Sequence, residues 1–130
     1  MQKFSFWAFA LLAALFIIPS CKHDHDDDDA NAPVLTIENP IADASLSGQI
    51  HIHGKVTDES LHAMEIKLTK DSDGTELLKV TPGVHDKMEY SFDEHVTPTV
   101  AVETPVTLTI TVSDHSDNNT TKTVKFTVKS

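Results

Sequence analysis

The sequence contains a single cysteine, Cys21, and no arginine. One cysteine excludes an internal disulfide, so Cys21 is a free thiol, an intermolecular link or a site of modification. All ten basic residues are lysines and stand against twenty acidic residues, which gives a formal net charge of −10. Nucleic-acid phosphates need a face rich in Lys and Arg, so this balance argues against a nucleic-acid partner.

The sequence also lacks the parts of the common catalytic sites. It has four glycines in all, with no Gly-x-Ser-x-Gly elbow and no glycine-rich loop of the kind that cradles phosphate. A pair of carboxylates for glycoside hydrolysis is the alternative that the sequence leaves open, because any two of its many acids can approach one another in a fold. Such pairs are far more often solvated surface charge, and we predict that the protein is not an enzyme.

The N-terminus has the features of an export signal. Lys3 is followed by an apolar run at 4–18, about fifteen residues, whereas a membrane span needs about twenty. We therefore predict a signal peptide at 1–20. Its last residues and Cys21, Ile-Pro-Ser-Cys, resemble the lipobox of bacterial lipoproteins, after which the chain is cut so that the cysteine carries the lipid anchor. The alternative is an ordinary secretory signal with an incidental cysteine.

Residues 21–32 are predicted to be a disordered acidic tether. After Cys21 the chain reads KHDHDDDDANA, which contains no large apolar side chain, and repulsion among its aspartates extends the chain. The acidic run resembles the surface-export signals of some Gram-negative lipoproteins, and Lys22 stands where an inner-membrane retention signal usually carries Asp. This implies an outer-membrane lipoprotein, facing the periplasm or the outside. His23 and His25 are candidates for transient capture of a divalent cation.

Residues 33–130 alternate aliphatic and polar side chains with a period of two, rich in Val, Ile and Thr. This pattern predicts seven strands and no helix. The strands are expected near 34–38, 49–56, 64–68, 77–80, 88–92, 106–112 and 124–128. Short strands joined by loops that contain Asp, Asn, Gly or Pro indicate one antiparallel Greek-key β-sandwich.

Two segments carry a family resemblance. VTLTITVSDHSDNNTTKTVKFTV resembles the last two strands of bacterial immunoglobulin-like and cadherin-like domains, and GKVTDESLHAMEIKL resembles the passage from their second strand to their third. The resemblance extends over 33–130 and implies an Ig-like order in which the fifth strand pairs with the second. It also extends to uncharacterised Ig-like lipoproteins of Gram-negative bacteria, from which no activity can be carried over. The paired cysteines and core tryptophan of antibody domains are missing, since Trp7 lies in the signal.

Histidine is unusually abundant, with eight residues in the chain. Neutral imidazole is a common ligand for zinc, copper and nickel. His51 and His53 lie two apart on one strand and share its outward face, where the Ig-like order places Asp93 and His95 opposite them. These four residues are a candidate zinc site. The alternative is that they are polar residues on a solvated sheet face.

A second polar group is expected at one end of the sandwich, where the Ig-like order brings two loops together. Its members are Asp58 and Glu59 in one loop and Asp114, Asp117 and Asn119 in the other. These oxygen ligands suit calcium, although Asp and Asn also cap turns without any metal. His62 and His115 lie in the same region, and His62 shares the parity of the inward Met64, which makes it a candidate inward histidine.

Two functions follow from the sequence. The first is a non-catalytic binding or adhesion module, displayed from the membrane, whose partner is a protein or a glycan. The second is a metal-binding lipoprotein that collects zinc or a similar ion for a neighbouring outer-membrane transporter. Zinc and calcium are the candidate ions.

The lipobox generates a direct prediction. Mass spectrometry of the protein extracted from membranes should find acyl chains on an N-terminal Cys21. Replacement of Cys21 with Ser should release the chain from the membrane fraction, because the thioether attachment point is lost. A mature chain that carries no acyl group, or a C21S chain that stays in the membrane, would contradict the anchor.

Overall fold

Eight β-strands form the domain in the computed structural model, which describes residues 30–130. The predicted signal peptide, Cys21 and the tether histidines His23 and His25 lie outside the described residues. Within 30–130, no helix is long and apolar enough to cross a bilayer.

The strands form two sheets, which confirms the predicted all-β class. Their bounds are β1 Val34–Asn39, β2 Ser45–Leu46, β3 Ile50–Thr57, β4 Leu61–Lys70, β5 Glu76–Val80, β6 Glu89–Val96, β7 Thr104–Asp114 and β8 Asn119–Val128. One sheet has the order β1-β3-β6 and the other β2-β8-β7-β4-β5. The expected pairing of the second and fifth predicted strands is present as β3 with β6.

The predicted count of seven strands is wrong by one. The additional strand, β2, is two residues long and pairs in parallel with β8, Ser45 opposite Thr127 and Leu46 opposite Val128. A strand of two residues is too short to show any alternation, so its sequence carries no periodic signal.

The alternating aliphatic residues form the interior. In β3 the side chains of Ile50, Ile52 and Val56 are buried, and in β7 those of Leu108 and Ile110 are fully buried. These side chains belong to one apolar cluster, to which both sheets contribute. Burial of each such side chain stabilises the fold by about 1.5–3 kcal/mol. Because successive side chains point to opposite faces of a strand, the apolar positions fix which face of each sheet is buried and which is solvated.

The segment before β6 differs from the prediction. Met88 was expected to begin the inward alternation of the fifth strand, but β6 begins at Glu89 and Met88 is 68% exposed. The core residue of this region is instead Val84, which is buried in the connection between β5 and β6. An irregular connection has no period, so its inward residue cannot be located from spacing.

Gly54 allows close packing at the centre of the three-stranded sheet, where a side chain would not fit. It lies in β3 opposite Phe92 of β6 and Ile37 of β1. A Cβ at Gly54 would collide with the carbonyl oxygen of Thr36 and with the ring of Phe92, which is fully buried. The absence of a side chain at Gly54 makes room for the ring of Phe92, the largest side chain that is fully buried.

We expect Gly54→Ala to destabilise the domain by about 1–3 kcal/mol, because either the Phe92 ring or the β1 backbone must move. The measurement is urea unfolding. Gly83→Ala is the matched control: a Cβ there meets nothing within 4 Å, so its free energy of unfolding should stay within about 0.5 kcal/mol of the parent. Equal stability of the two variants would contradict the packing argument.

Candidate metal centre

The exposed face of the three-stranded sheet brings together three of the predicted ligands. The register of β3 and β6 places His51 opposite His95 and His53 opposite Asp93. The rings of His51 and His95 have centroids 4.2 Å apart, and His95 Nε2 lies 3.0 Å from Asp93 Oδ1. One ligand atom from each of His51, Asp93 and His95 lies within 4.8 Å of the others. We call these three residues the face cluster.

The structure does not bring His53 into the face cluster. Its Nδ1 lies 2.6 Å from Glu38 Oε2, so the ring pairs with a carboxylate of β1. β3 is the central strand of its sheet, and an outward side chain on a central strand can reach either neighbour. The position of His53 on β3 therefore did not determine its partner, because the neighbouring strands β1 and β6 both offer one. Its ring pairs with Glu38 of β1 and not with Asp93 of β6.

Asp114, one of the predicted calcium ligands, organises the turn between β7 and β8. Its side chain is buried, and its Oδ1 accepts hydrogen bonds from the backbone N–H groups of Ser116 at 2.9 Å and Asn118 at 2.8 Å. Its Oδ2 accepts one from Asn118 Nδ2 at 2.8 Å. Burial raises the pKa of Asp114, but the hydrogen bonds from Asn118 and Ser116 lower it by more, so the pKa lies below its usual value.

The other predicted calcium ligands serve or adjoin turns. The backbone N–H of Ser60 donates to Asp58 Oδ2 at 2.8 Å, and Asn119 Nδ2 donates to the carbonyl of Asp117 at 3.0 Å. Glu59 is exposed. Among residues 30–130, no converging group of three His, Cys, Asp or Glu side chains contains any of these acids. The contacts correspond to the turn-capping alternative.

A second histidine group was only partly visible from the sequence. His62, His85 and His115 gather at the end of the sandwich, with one ligand nitrogen each within 4.8 Å of the others. We call these three residues the pole cluster. The sequence placed His62 and His115 in this region but said nothing of His85. His85 lies in the irregular connection between β5 and β6, where no periodic pattern predicts the position of a side chain. The high histidine content of the chain was the one sequence feature relevant to His85 as a ligand.

His62 is exposed, so the alternative of an inward histidine is wrong. The pairing of β4 with β7 shifts register between Leu61 and Ala63, as in a β-bulge. Leu61 and Met64 are both buried although they lie three residues apart. The extra residue breaks the alternation of β4 and turns His62 outward.

Comparison with known proteins identifies the fold and no family. No family model matches the chain, and no curated protein matches it. An engineered protein of known structure aligns with 75% of this chain at 15% identity and a TM-score of 0.53. The alignment covers 20% of the engineered protein, so this chain spans about a fifth of that protein's length. CopC from Methylosinus trichosporium OB3b aligns over 75% of this chain and 93% of its own at 16% identity and a TM-score of 0.49. At such identities the likeness to the engineered protein shows the β-sandwich fold alone.

The low pKa of Asp114 generates a prediction for stability against pH. A carboxyl whose pKa is lower in the folded state stabilises the fold above its unfolded pKa, about 3.9, and the contribution is lost as the pH falls through the folded value. Asp114→Asn should cost about 1–3 kcal/mol at pH 7, because the charged carboxylate that accepts hydrogen bonds from Ser116 and Asn118 is lost. The deficit should shrink below about pH 4.

Urea unfolding at pH 7 and pH 3 measures this difference. Asp117→Asn is the matched control in the same turn, since Asn tolerates the positive φ of 63° found there. Its stability should follow that of the parent at both pH values. A D114N deficit that is as large at pH 3 as at pH 7 would show that the carboxylate is not the source.

Proposed function

We propose that this domain is a non-catalytic metal-binding module that takes up a zinc-type divalent ion at the face cluster. The observation that carries the proposal is the convergence of His51, Asp93 and His95 within 4.8 Å on one exposed sheet face. Two imidazoles and one carboxylate are a ligand set that zinc commonly takes in proteins. Imidazole nitrogen donors favour ions of intermediate softness, such as Zn²⁺ or Cu²⁺.

The backbone supports this site without rearrangement. His51 and His95 are directly paired residues of two hydrogen-bonded strands, and Asp93 lies two residues from His95 on the same face. Tetrahedral zinc with bonds of about 2.0–2.1 Å places its ligand atoms about 3.3 Å apart. The remaining difference lies in exposed side chains, so we expect an ion to reorder those side chains and the 3.0 Å contact between His95 and Asp93 while the pairing of the strands is kept.

Three protein ligands leave a fourth position of a tetrahedral ion to water or to another donor. The cluster is exposed, so an ion held there can exchange with solvent or pass to a partner. This chemistry suits a protein that collects and transfers an ion better than one that needs the ion to fold. It supports the role of an accessory to a neighbouring outer-membrane transporter.

The anchored location is part of the same proposal. A lipid on Cys21 would hold the domain at the outer membrane of a Gram-negative bacterium, and the aspartates of the tether would raise the local concentration of cations. His23 and His25 would lie between the membrane and the domain. The proposed role involves no catalysis, and the absence of enzymatic activity stays a prediction.

A second candidate function, the protein- or glycan-binding module, is favoured by one observation. A groove of about 410 Å³ lies beside the face cluster, and His51 is in its wall. The other lining residues are Asn39, Pro40, Ile41, Ala44, Leu46, Ser47, Gln49 and Ile50. Ile41 is 67% exposed and supplies an apolar contact surface. Binding of immobilised glycans to the metal-free protein, lost in Ile41→Asp, would support this function.

The metal proposal is tested by titration of the full mature chain with Zn²⁺, followed by NMR of the backbone amides of β3 and β6. In the parent, amides around His51 and His95 should shift. His51→Ala should weaken binding at this site by more than about 100-fold, since loss of an outer-shell partner alone costs about 10–100-fold.

His53→Ala is the matched control, because it removes an imidazole from the same strand and face but from outside the cluster. It should leave the Zn²⁺ response of β6 unchanged. The proposal fails if zinc does not shift the β3 and β6 amides, or if H53A suppresses the shifts as strongly as H51A.

A further inference from the structure

We infer that the pole cluster, His62, His85 and His115, is a second transition-metal site built from three imidazoles. It shares no residue with the face cluster, so the inference does not rest on the proposed function. The ring centroids lie 4.8 Å apart for His62 and His115, 4.7 Å for His85 and His115, and 5.5 Å for His62 and His85. The three rings are thus mutual neighbours, with one ligand nitrogen of each within 4.8 Å of the others.

The backbone holds the three segments together independently of the rings. The N–H of His115 donates to the carbonyl of Ser60 at 3.1 Å, which ties the β7–β8 turn to the start of β4. The N–H of Asp86 donates to the carbonyl of Leu61 at 2.8 Å, and the N–H of Leu61 donates to the carbonyl of Lys87 at 2.9 Å. These bonds tie the β5–β6 connection to the same place, so the backbone of all three segments is held together without an ion.

Each histidine directly follows a buried residue. Leu61 precedes His62, Val84 precedes His85 and Asp114 precedes His115, and these three are 0%, 1% and 2% exposed. Leu61 and Val84 belong to the apolar interior, and Asp114 is fixed by its hydrogen bonds to the turn. The Cα atoms of the three histidines are therefore positioned by the packed domain, and an ion has to order only exposed side chains.

Asp86 orients two of the three rings. Its Oδ1 lies 2.9 Å from His115 Nε2, and its Oδ2 lies 3.0 Å from His85 Nδ1. A carboxylate that accepts a ring N–H selects the tautomer in which the other ring nitrogen carries the lone pair for a metal. Asp86 adopts a φ of 63°, which Asp tolerates better than most residues, and its backbone N–H is bonded to Leu61. Asp86 is thus a positioning residue for the site.

The donor set selects the class of ion. Three neutral nitrogen donors favour Zn²⁺, Cu²⁺ and Ni²⁺ over Ca²⁺ and Mg²⁺, which prefer oxygen. Three imidazoles also leave one position of a tetrahedral ion open to an external ligand. The side chains of His85 and His115 are 61% and 36% exposed, so that position is accessible from solvent. An ion at this end of the domain can be exchanged or shared with a partner.

The two sites are separated by paired variants of the full mature chain. In the first background, His51→Ala and His95→Ala disable the face cluster. Titration with Co²⁺ alone should still give the visible absorption of a tetrahedral ion, and Zn²⁺ should displace it. Adding His85→Ala should weaken this binding by more than about 100-fold, whereas adding His53→Ala should leave it unchanged.

In the second background, His62→Ala and His115→Ala disable the pole cluster and leave the face cluster intact. Suppose that the β3 and β6 amides still shift with Zn²⁺ in this second background, and that Co²⁺ binding in the first background does not depend on His85. That pair of results would overturn the inference and leave the proposed function standing. The reverse pair of results would support the inference and overturn the proposed function. Binding that none of the domain histidine variants affects would assign the ion to the tether and overturn both.

Asp86→Asn separates positioning from simple surface charge. The amide lacks the carboxylate charge and accepts a ring N–H more weakly, so Co²⁺ affinity in the first background should fall by about 10–100-fold. The shape of the absorption spectrum should stay the same, because the three ligands remain. Thermal unfolding of the metal-free variant should match the parent. Unchanged Co²⁺ affinity in D86N would show that Asp86 does not orient the rings.

Discussion

The burial of alternating aliphatic and aromatic side chains in the three-stranded sheet determines where its polar chemistry lies. Ile52 of β3 and Phe92 of β6 point into the interior, and Gly54 makes the space for the Phe92 ring. Because the side-chain period of a strand is two, a slip of one residue would bury His51 and His95 and expose their apolar neighbours. The free energy of the apolar interior therefore holds the face cluster in register, although no ligand of the cluster contributes to that interior.

The two histidine clusters are held by different physical means. The face cluster depends on a regular ladder, in which position along a strand decides the neighbour. The pole cluster depends on irregular segments that are fixed by backbone hydrogen bonds and by the buried residues that precede each histidine. Both clusters are exposed, and each places one candidate ligand atom from three residues within 4.8 Å of the others.

The local pattern of the sequence was sufficient for everything that depends on a period of two. It predicted the all-β class and seven of the eight strands found within residues 30–130. The pairing of β3 with β6 was implied by the Ig-like resemblance and not by the local pattern. Alternation also placed His51 on the outward face of its strand, and Asp93 and His95 on the outward face of theirs, because every second residue lies on the same side of a strand. The abundance of histidine made metal binding a hypothesis before any position was known.

Only the tertiary structure decided what depends on irregular backbone or on a choice between neighbours. It paired His53 with Glu38 of β1, turned His62 outward at a bulge, and brought His85 to the end of the sandwich from a connection that has no period. It also placed the Asp114 carboxylate where it accepts backbone hydrogen bonds within the turn that contains His115. These outcomes result from contacts between segments distant in sequence, and a local pattern carries no record of which distant segment a side chain will meet.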